Sequence, residues 1–263
     1  MRFTILGAIG TVVDERFVAV TGARQRILLT TLLLTAGRLL PSEQLYAELW
    51  GEDPPELVEN ALQAHVSRLR RTLRRHAGDG QAPALIGHPS GYQLVVPPMD
   101  VDVHVFRERL ARARSAAERD PAMSRELLES ALELWRGPLP QEVAASPLCR
   151  SASVQLDEEY LSALESRLEL ELRFGPPADV ISELRRFGVM HPWRERITEL
   201  LMLALYRTGR QAEAVETYNA TRSRLVDELG IEPSPRLRDL FRRILNQEPA
   251  LEHRRGMVLS LDE

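Results

Sequence analysis

Between residues 53 and 76 the apolar side chains return at spacings of three and four: Val58, Leu62, Val66, Leu69 and Leu73. On a 3.6-residue period that spacing gathers them into one narrow arc, so the stretch is predicted as a helix with a single core-facing side. Asp53 suits an N-cap, Pro54 a first helical position that needs no N–H, and Glu56 completes a capping pattern, which sets the expected start. Upstream, residues 2–6, 10–13 and 17–20 are short runs of Val, Ile, Phe and Thr separated by Gly7 and by Asp14-Glu15, and they read as three strands. A Leu-rich helix is expected over 23–36, ended by Gly37 at C′, and a second over 42–50, capped by Ser42. After Gly78 a polar loop leads to 84–86, the turn Gly87-His88-Pro89-Ser90-Gly91 and the run 92–96, which together predict a hairpin. A small sheet, three helices and a terminal hairpin are the parts of a winged helix-turn-helix, whose third helix enters the major groove of DNA.

Beyond Pro97-Pro98-Met99-Asp100 the periodicity is helical throughout. Helices are predicted near 103–117, 122–135, 148–174, 178–190, 193–207, 211–228 and 235–246, with Gly and Pro pairs at their ends. Gly175 and Gly209 lie 34 residues apart, each between two amphipathic helices, and Ala204, Tyr206, Ala214 and Tyr218 fit a tetratricopeptide pattern of small and aromatic packing positions. The fold class expected is therefore mainly α: an N-terminal α+β winged helix-turn-helix followed by an all-α tetratricopeptide-like array. The expected domains are 1–97 and 98–250, with 251–263, which lacks periodicity, as a mobile tail.

Composition narrows the chemistry. All 34 basic residues are Arg, which rules out a Walker lysine, a Schiff base and a lysine general base. The single Cys149 is expected as a buried apolar thiol and fits a reducing, cytoplasmic setting, here nucleoid-associated. The opening run alternates like a strand and turns at once to Asp14-Glu15, unlike a signal-peptide core, and the apolar run 27–34 is too short to span a bilayer, so no membrane partner is expected. No histidine stands at metal-ligand spacing from another His, Cys or carboxylate; His191, before Pro192, reads as structural. Asp157, Glu158 and Glu159 are consecutive on a helix, point about 100° apart and read as a solvated face. With no phosphate loop or nucleophile elbow either, neither an enzyme, a cofactor nor a metal site is expected.

Charge redirects attention to the polar face of the 53–76 helix. The net −4 divides into 10 Arg against 9 acids over residues 1–96 and 24 Arg against 29 acids over the remainder. Asn60, Ala64, Ser67 and Arg71 run along the centre of that face, with Gln63 and Arg74 on one flank and Arg68 and Arg75 on the other. No acid occurs between Glu59 and Asp79, whereas a solvated helix normally interleaves acids at i,i+4 from its arginines. Small Ala64 and Ser67 admit close backbone approach, and Asn, Gln and Arg read base edges or hold phosphates. The competing reading is a solvated face whose late arginines complement the helix dipole. On the first reading Asn60, Gln63, Ala64, Ser67 and Arg68 are the base readers. Arg70, Arg71 and Arg74 hold phosphates, joined by Arg24, Arg26 and Trp50 at the edge and by Ser90, Gly91 and Tyr92 at the wing. His65, bordering the apolar arc, is either a phosphate contact or a packed core histidine.

RQRILLTTLLL at 24–34, SEQLYAELWG at 42–51, NALQAHVSRLRRTL at 60–73 and GYQLVV at 91–96 resemble the OmpR-type winged helix in the version found in Streptomyces antibiotic regulatory proteins. VDVHVF, ALELWRGPL, HPWRERITELLMLALYRTGRQAEAVETY and LVDELGIEPSPRLRDLFRRIL resemble the bacterial transcriptional activation domain of the same family. The resemblance implies a pathway-specific activator of a secondary-metabolite gene cluster. It would bind direct repeats near a −35 element, at least as a homodimer on DNA, and recruit RNA polymerase through its sigma factor and alpha subunit. No receiver domain is expected before the winged helix, so a signal other than aspartate phosphorylation would apply. Two alternatives remain at this level: a protein-binding scaffold that uses the helical array, and a repressor.

Overall fold

The structure, a computed structural model, describes residues 1–78, 80 and 82–252. It comprises two compact units, Met1–Ala163 and Leu164–Glu263, whose boundary falls inside one long helix.

The first unit opens with an antiparallel meander of β1 (Arg2–Thr4), β2 (Gly10–Val13) and β3 (Arg16–Ala19). Val13 pairs with Arg16, so Asp14 and Glu15 make a two-residue turn, both at positive φ as a tight hairpin of this twist requires. Helix α1 (Ala23–Leu34) buries Ile27, Leu28, Leu29, Leu32 and Leu33 and forms the centre of the core. Its C-cap is Thr35, so Gly37 lies one position past the expected C′; its φ of +79° still suits glycine, and its N–H donates to Leu94 O at 2.9 Å. The sequence reading passed over β4 (Leu39–Pro41), which follows at once. Three residues have too little period to register, and β4 exists because it pairs with a strand some fifty positions on. Helix α2 (Ser42–Trp50) begins with Ser42 already helical behind Pro41, with no side-chain cap.

Helix α3 runs Val58–Ala77, so the expected start, with its cap at Asp53 and first helical residue at Pro54, is corrected by four residues. Pro55 is the physical reason: its ring disfavours helical backbone at the preceding Pro54, which cannot then serve as a first helical residue. The cap position falls to Leu57, without a side-chain bond. The predicted arc is the buried one: Leu62, Val66, Leu69 and Leu73 are each at most 1% exposed. Strands β5 (Ala84–His88) and β6 (Gly91–Val95) form the hairpin, and β4 joins it to give the order β4-β6-β5. After a 3-10 turn at Pro98–Asp100 come α4 (Asp102–Ala116) and α5 (Pro121–Leu132), a second 3-10 turn at Gln141–Val143, and α6 (Pro147–Phe174).

The segment after residue 100 is fastened to the winged helix by buried polar bonds. The Asp102 carboxylate accepts from Ile5 N at 2.9 and 3.0 Å, Leu6 N at 3.1 Å and the Arg136 guanidinium at 2.8 Å. Buried Glu48 of α2 accepts from Ser146 Oγ and from Leu148 N at 3.0 Å, and His104 bonds Leu33 O at 3.0 Å. Cys149 is buried as expected, 3.6 Å from Thr31 Oγ1, and burial pushes its thiol up from the usual range. Glu159 departs from the expected solvated face, because it pairs with Arg107 at 2.8 Å between α6 and α4.

In the second unit α7 (Pro177–Met190), α8 (Glu195–Arg207) and α9 (Gln211–Arg224) pack in succession, and α9 continues through a π-helical turn, Leu225–Leu229. Ala204 and Ala214 are fully buried where α8 meets α9, and Gly209 turns between them at φ +76°. Helix α10 (Pro235–Leu245), capped by Ser234, stacks Phe241 on Tyr218 with ring centroids 3.9 Å apart. The expected tail begins in ordered structure, since Pro249–Leu251 is a 3-10 turn with Leu251 buried; residues 253–263 lie outside the described residues.

Candidate nucleic-acid interface

Because α3 sits on its apolar arc, the polar face is turned outward: Asn60, Gln63, Ala64, Ser67, Arg68, Arg71, Arg74 and Arg75 are all exposed. Its late start puts Asn60, Gln63 and Ala64 in the first two turns, with the arginines following toward the C-terminus. Among the described residues, Arg68, Arg71, Arg74 and Arg75 form no ion pair, whereas most arginines of the second unit are matched to a carboxylate. A row of unneutralised guanidiniums around small side chains is the arrangement a polyanion fits.

The remaining candidates divide by what they already hold. Arg24 is exposed on the first turn of α1, near enough to His65 to perturb its charge. Arg26 is engaged elsewhere: it ion-pairs with Glu142 at 2.5 Å and donates to Val20 O at 3.2 Å. Arg70 is half-buried and its Nε donates to Leu85 O at 2.9 Å, which ties α3 to the wing. Ser90 is exposed at the tip of the hairpin, and its carbonyl accepts from Ser42 N at 2.9 Å. Tyr92 is half-buried. Gly91 is buried: a Cβ there would stand 1.9 Å from Leu40 O, so its absence of side chain is what lets β4 and β6 close up.

His65 takes the packed of its two readings. The Gln25 amide donates to its Nδ1 at 3.0 Å and to its carbonyl at 3.1 Å, and the Trp50 ring lies 5.8 Å away at 60°. Burial first, then the charges of Arg68 and Arg24, hold the imidazole below the usual histidine range, consistent with an Nδ1 that accepts a hydrogen bond. Trp50 is likewise half-buried, between Tyr46 and His65. His76 anchors the other end of α3 through Thr11 Oγ1 at 2.8 Å. Sequence reasoning missed Gln25, Leu85 and Glu142; only Gln25 carried a signal, as an amide at helical spacing from Leu28, Leu29 and Leu32 on the buried side of α1.

The comparisons with known proteins agree with this geometry in both halves. Residues 18–94 match the family model "Transcriptional regulatory protein, C terminal", and residues 101–245 match "Bacterial transcriptional activator domain". The transcriptional regulator RedD of Streptomyces coelicolor is 36% identical over 96% of this chain and 72% of its own length. The regulatory protein DnrI of Streptomyces peucetius is 34% identical over 96% of this chain and 94% of its own. The regulatory protein AfsR of Streptomyces coelicolor is 40% identical, but the chain spans only 25% of it. Among solved structures, Mycobacterium tuberculosis EmbR in complex with a low-affinity phosphopeptide superposes with a TM-score of 0.85 at 31% identity, over 94% of this chain and 65% of that one. No helix among the described residues is long and apolar enough to cross a membrane. RedD and DnrI align along nearly the whole chain and both family models match in the order of the fold, so the chain belongs to the Streptomyces antibiotic regulatory protein family of DNA-binding transcriptional activators.

Proposed function

We propose that this protein activates a secondary-metabolite gene cluster by seating α3 in the major groove of direct repeats near a −35 element and recruiting RNA polymerase through its sigma factor and alpha subunit. The observation that supports this most is the exposed, acid-free face of α3 with Ala64 and Ser67 at its middle. Base readout falls to Asn60, Gln63, Ala64, Ser67 and Arg68. Arg71, Arg74 and Arg24 hold phosphates, and Ser90 and Tyr92 meet the backbone at the wing. Gly91, Arg70, Arg26, Trp50 and His65 act on DNA indirectly by fixing the wing and the pose of α3, given the partners they already hold. Residues 1–97 are the reading module and 98–250 the activating one, with no catalysis of its own, and the work is done in the cytoplasm at the nucleoid. Direct repeats call for a head-to-tail pair of copies on DNA, where a palindrome would call for a two-fold one.

The test is in-vitro selection of random duplexes by the full chain, followed by anisotropy of the winners at two salt concentrations. A short motif repeated at a spacing of about one helical turn is expected. Arg68→Ala should erode discrimination between that motif and scrambled DNA, while Arg74→Ala should weaken both alike. Enrichment of nothing above non-specific affinity would overturn the reading. Transcription in vitro with polymerase present separates activation from repression by promoter blocking.

A further inference from the structure

The second unit encloses a cavity of about 430 Å³ between the last turns of α6, one side of α8, α10 and the 3-10 turn at Leu251. That volume is within the range of small-molecule sites. DNA binding makes no use of it. Its walls alternate leucines, among them Leu200, Leu203 and Leu240, with charged groups.

Most of those charges neutralise one another. Arg196 lies between Glu169 at 2.5 Å and Glu199 at 2.7 Å, and Arg236 adds a second cation to Glu199 at 2.9 Å. Asp239 is bonded to Arg242, and Arg243 to Glu248 at 2.9 Å. Two lining cations are left over. Arg207 donates only to neutral carbonyls, Leu251 O at 2.9 Å and Leu172 O at 2.6 Å, and has no acidic partner among the described residues. Burial pulls its pKa down with no carboxylate to offset the effect. Arg173 contacts the ring of Phe174 at 5.1 Å and likewise has no ion pair. A partly desolvated guanidinium held by carbonyls alone gains strongly from an anion, because the attraction grows as water is excluded.

We propose that this cavity binds a small amphiphilic organic anion, with its charged head on Arg207 and Arg173 and its apolar body against Leu200, Leu203 and Leu240. Such a ligand would bridge α6, α8 and α10, and so give the activating half an input independent of DNA. The probe is octanoate, with 1-octanol as its neutral match in chain length, titrated calorimetrically into the full chain. Octanoate is expected to bind with a Kd of about 1 mM or tighter and octanol at least about tenfold more weakly. Arg207→Gln and Arg173→Gln should each weaken octanoate by about tenfold, as loss of a charge-assisted bond predicts. Leu203→Trp, which fills the cavity, should abolish binding while the melting temperature confirms a folded chain. If Arg207→Gln fails to fold because it also releases two carbonyls, Arg173→Gln and Leu203→Trp still decide the matter. Equal binding of acid and alcohol, no octanoate binding, or full affinity in Leu203→Trp would each overturn the proposal.

Discussion

Asp102 joins the winged helix to the helices that follow it, and replacing it tests whether that junction is held by buried hydrogen bonds. Its side chain is 6% exposed and accepts from Arg136 and from the backbone N–H groups of residues 5 and 6 across the junction. Burial raises its pKa, and the bonds from Ile5, Leu6 and Arg136 work against that rise, so the site is a cost met by its donors. Asp102→Ala strands both N–H groups, at about 1–3 kcal/mol each, while the Arg136 side chain, 47% exposed, regains water at little cost. The expected loss is therefore about 4 kcal/mol. Asp102→Asn keeps one acceptor oxygen but turns an NH₂ toward a second donor, and about 2 kcal/mol should be lost. Urea unfolding followed by tryptophan fluorescence in a Trp193→Phe background, which leaves Trp50 and Trp135 as the reporters, measures this in the unit concerned. With a slope of about 2 kcal/mol/M, the Ala variant should unfold roughly 2 M earlier and the Asn variant roughly 1 M earlier. A shift below about 0.5 M for Ala, or an Asn variant weaker than Ala, would refute the reasoning.

Three further outcomes are expected. Gly91→Ala forces backbone against backbone at Leu40, so it should cost about 2 kcal/mol or more and lower DNA affinity through the wing; an unchanged melting temperature would contradict the close approach. Arg71→Ala should leave the melting temperature unchanged and reduce the slope of log affinity against log salt by about one, whereas Arg70→Ala, which frees Leu85 O, should lower stability by about 1 kcal/mol. His65 and His76 both have folded pKa values below the usual one, so the unfolded chain takes up their protons first. Stability is then complete above about pH 6.5 and declines as pH falls from there toward the folded values. The urea midpoint should drop on going from about pH 7.5 to about pH 6, and less so in a double variant with glutamine at both positions; a midpoint that rises would reverse the sign of the argument.

Read from periodicity alone, the order of the helices and the outward face of α3 were correct, because both depend on residues three or four apart. The same locality explains the error at the start of α3: Asp53, Pro54 and Glu56 have the spacing of a cap, but Pro55 denies the backbone angle that the cap requires. What separates Arg71 from Arg70, Arg24 from Arg26, and Gly91 from a surface wing residue is invisible in sequence. Each is distinguished by a partner far along the chain, namely Leu85 O, Glu142 and Leu40 O. Nothing local sets the buried carboxylates Glu48 and Asp102 apart from other acids; the fold does so by bringing Ser146 and Ile5 against them from about a hundred residues away. The same holds for the cavity beside Arg207, whose walls come from three helices and the 3-10 turn at Leu251, which no local pattern relates. Sequence by itself determined which helices form and which side of α3 faces out, since those follow from short-range spacing, whereas β4 took its pairing with β6 to appear. Only the tertiary structure decided which arginines remain free for an anion, since that depends on where the distant carboxylates and carbonyls come to rest.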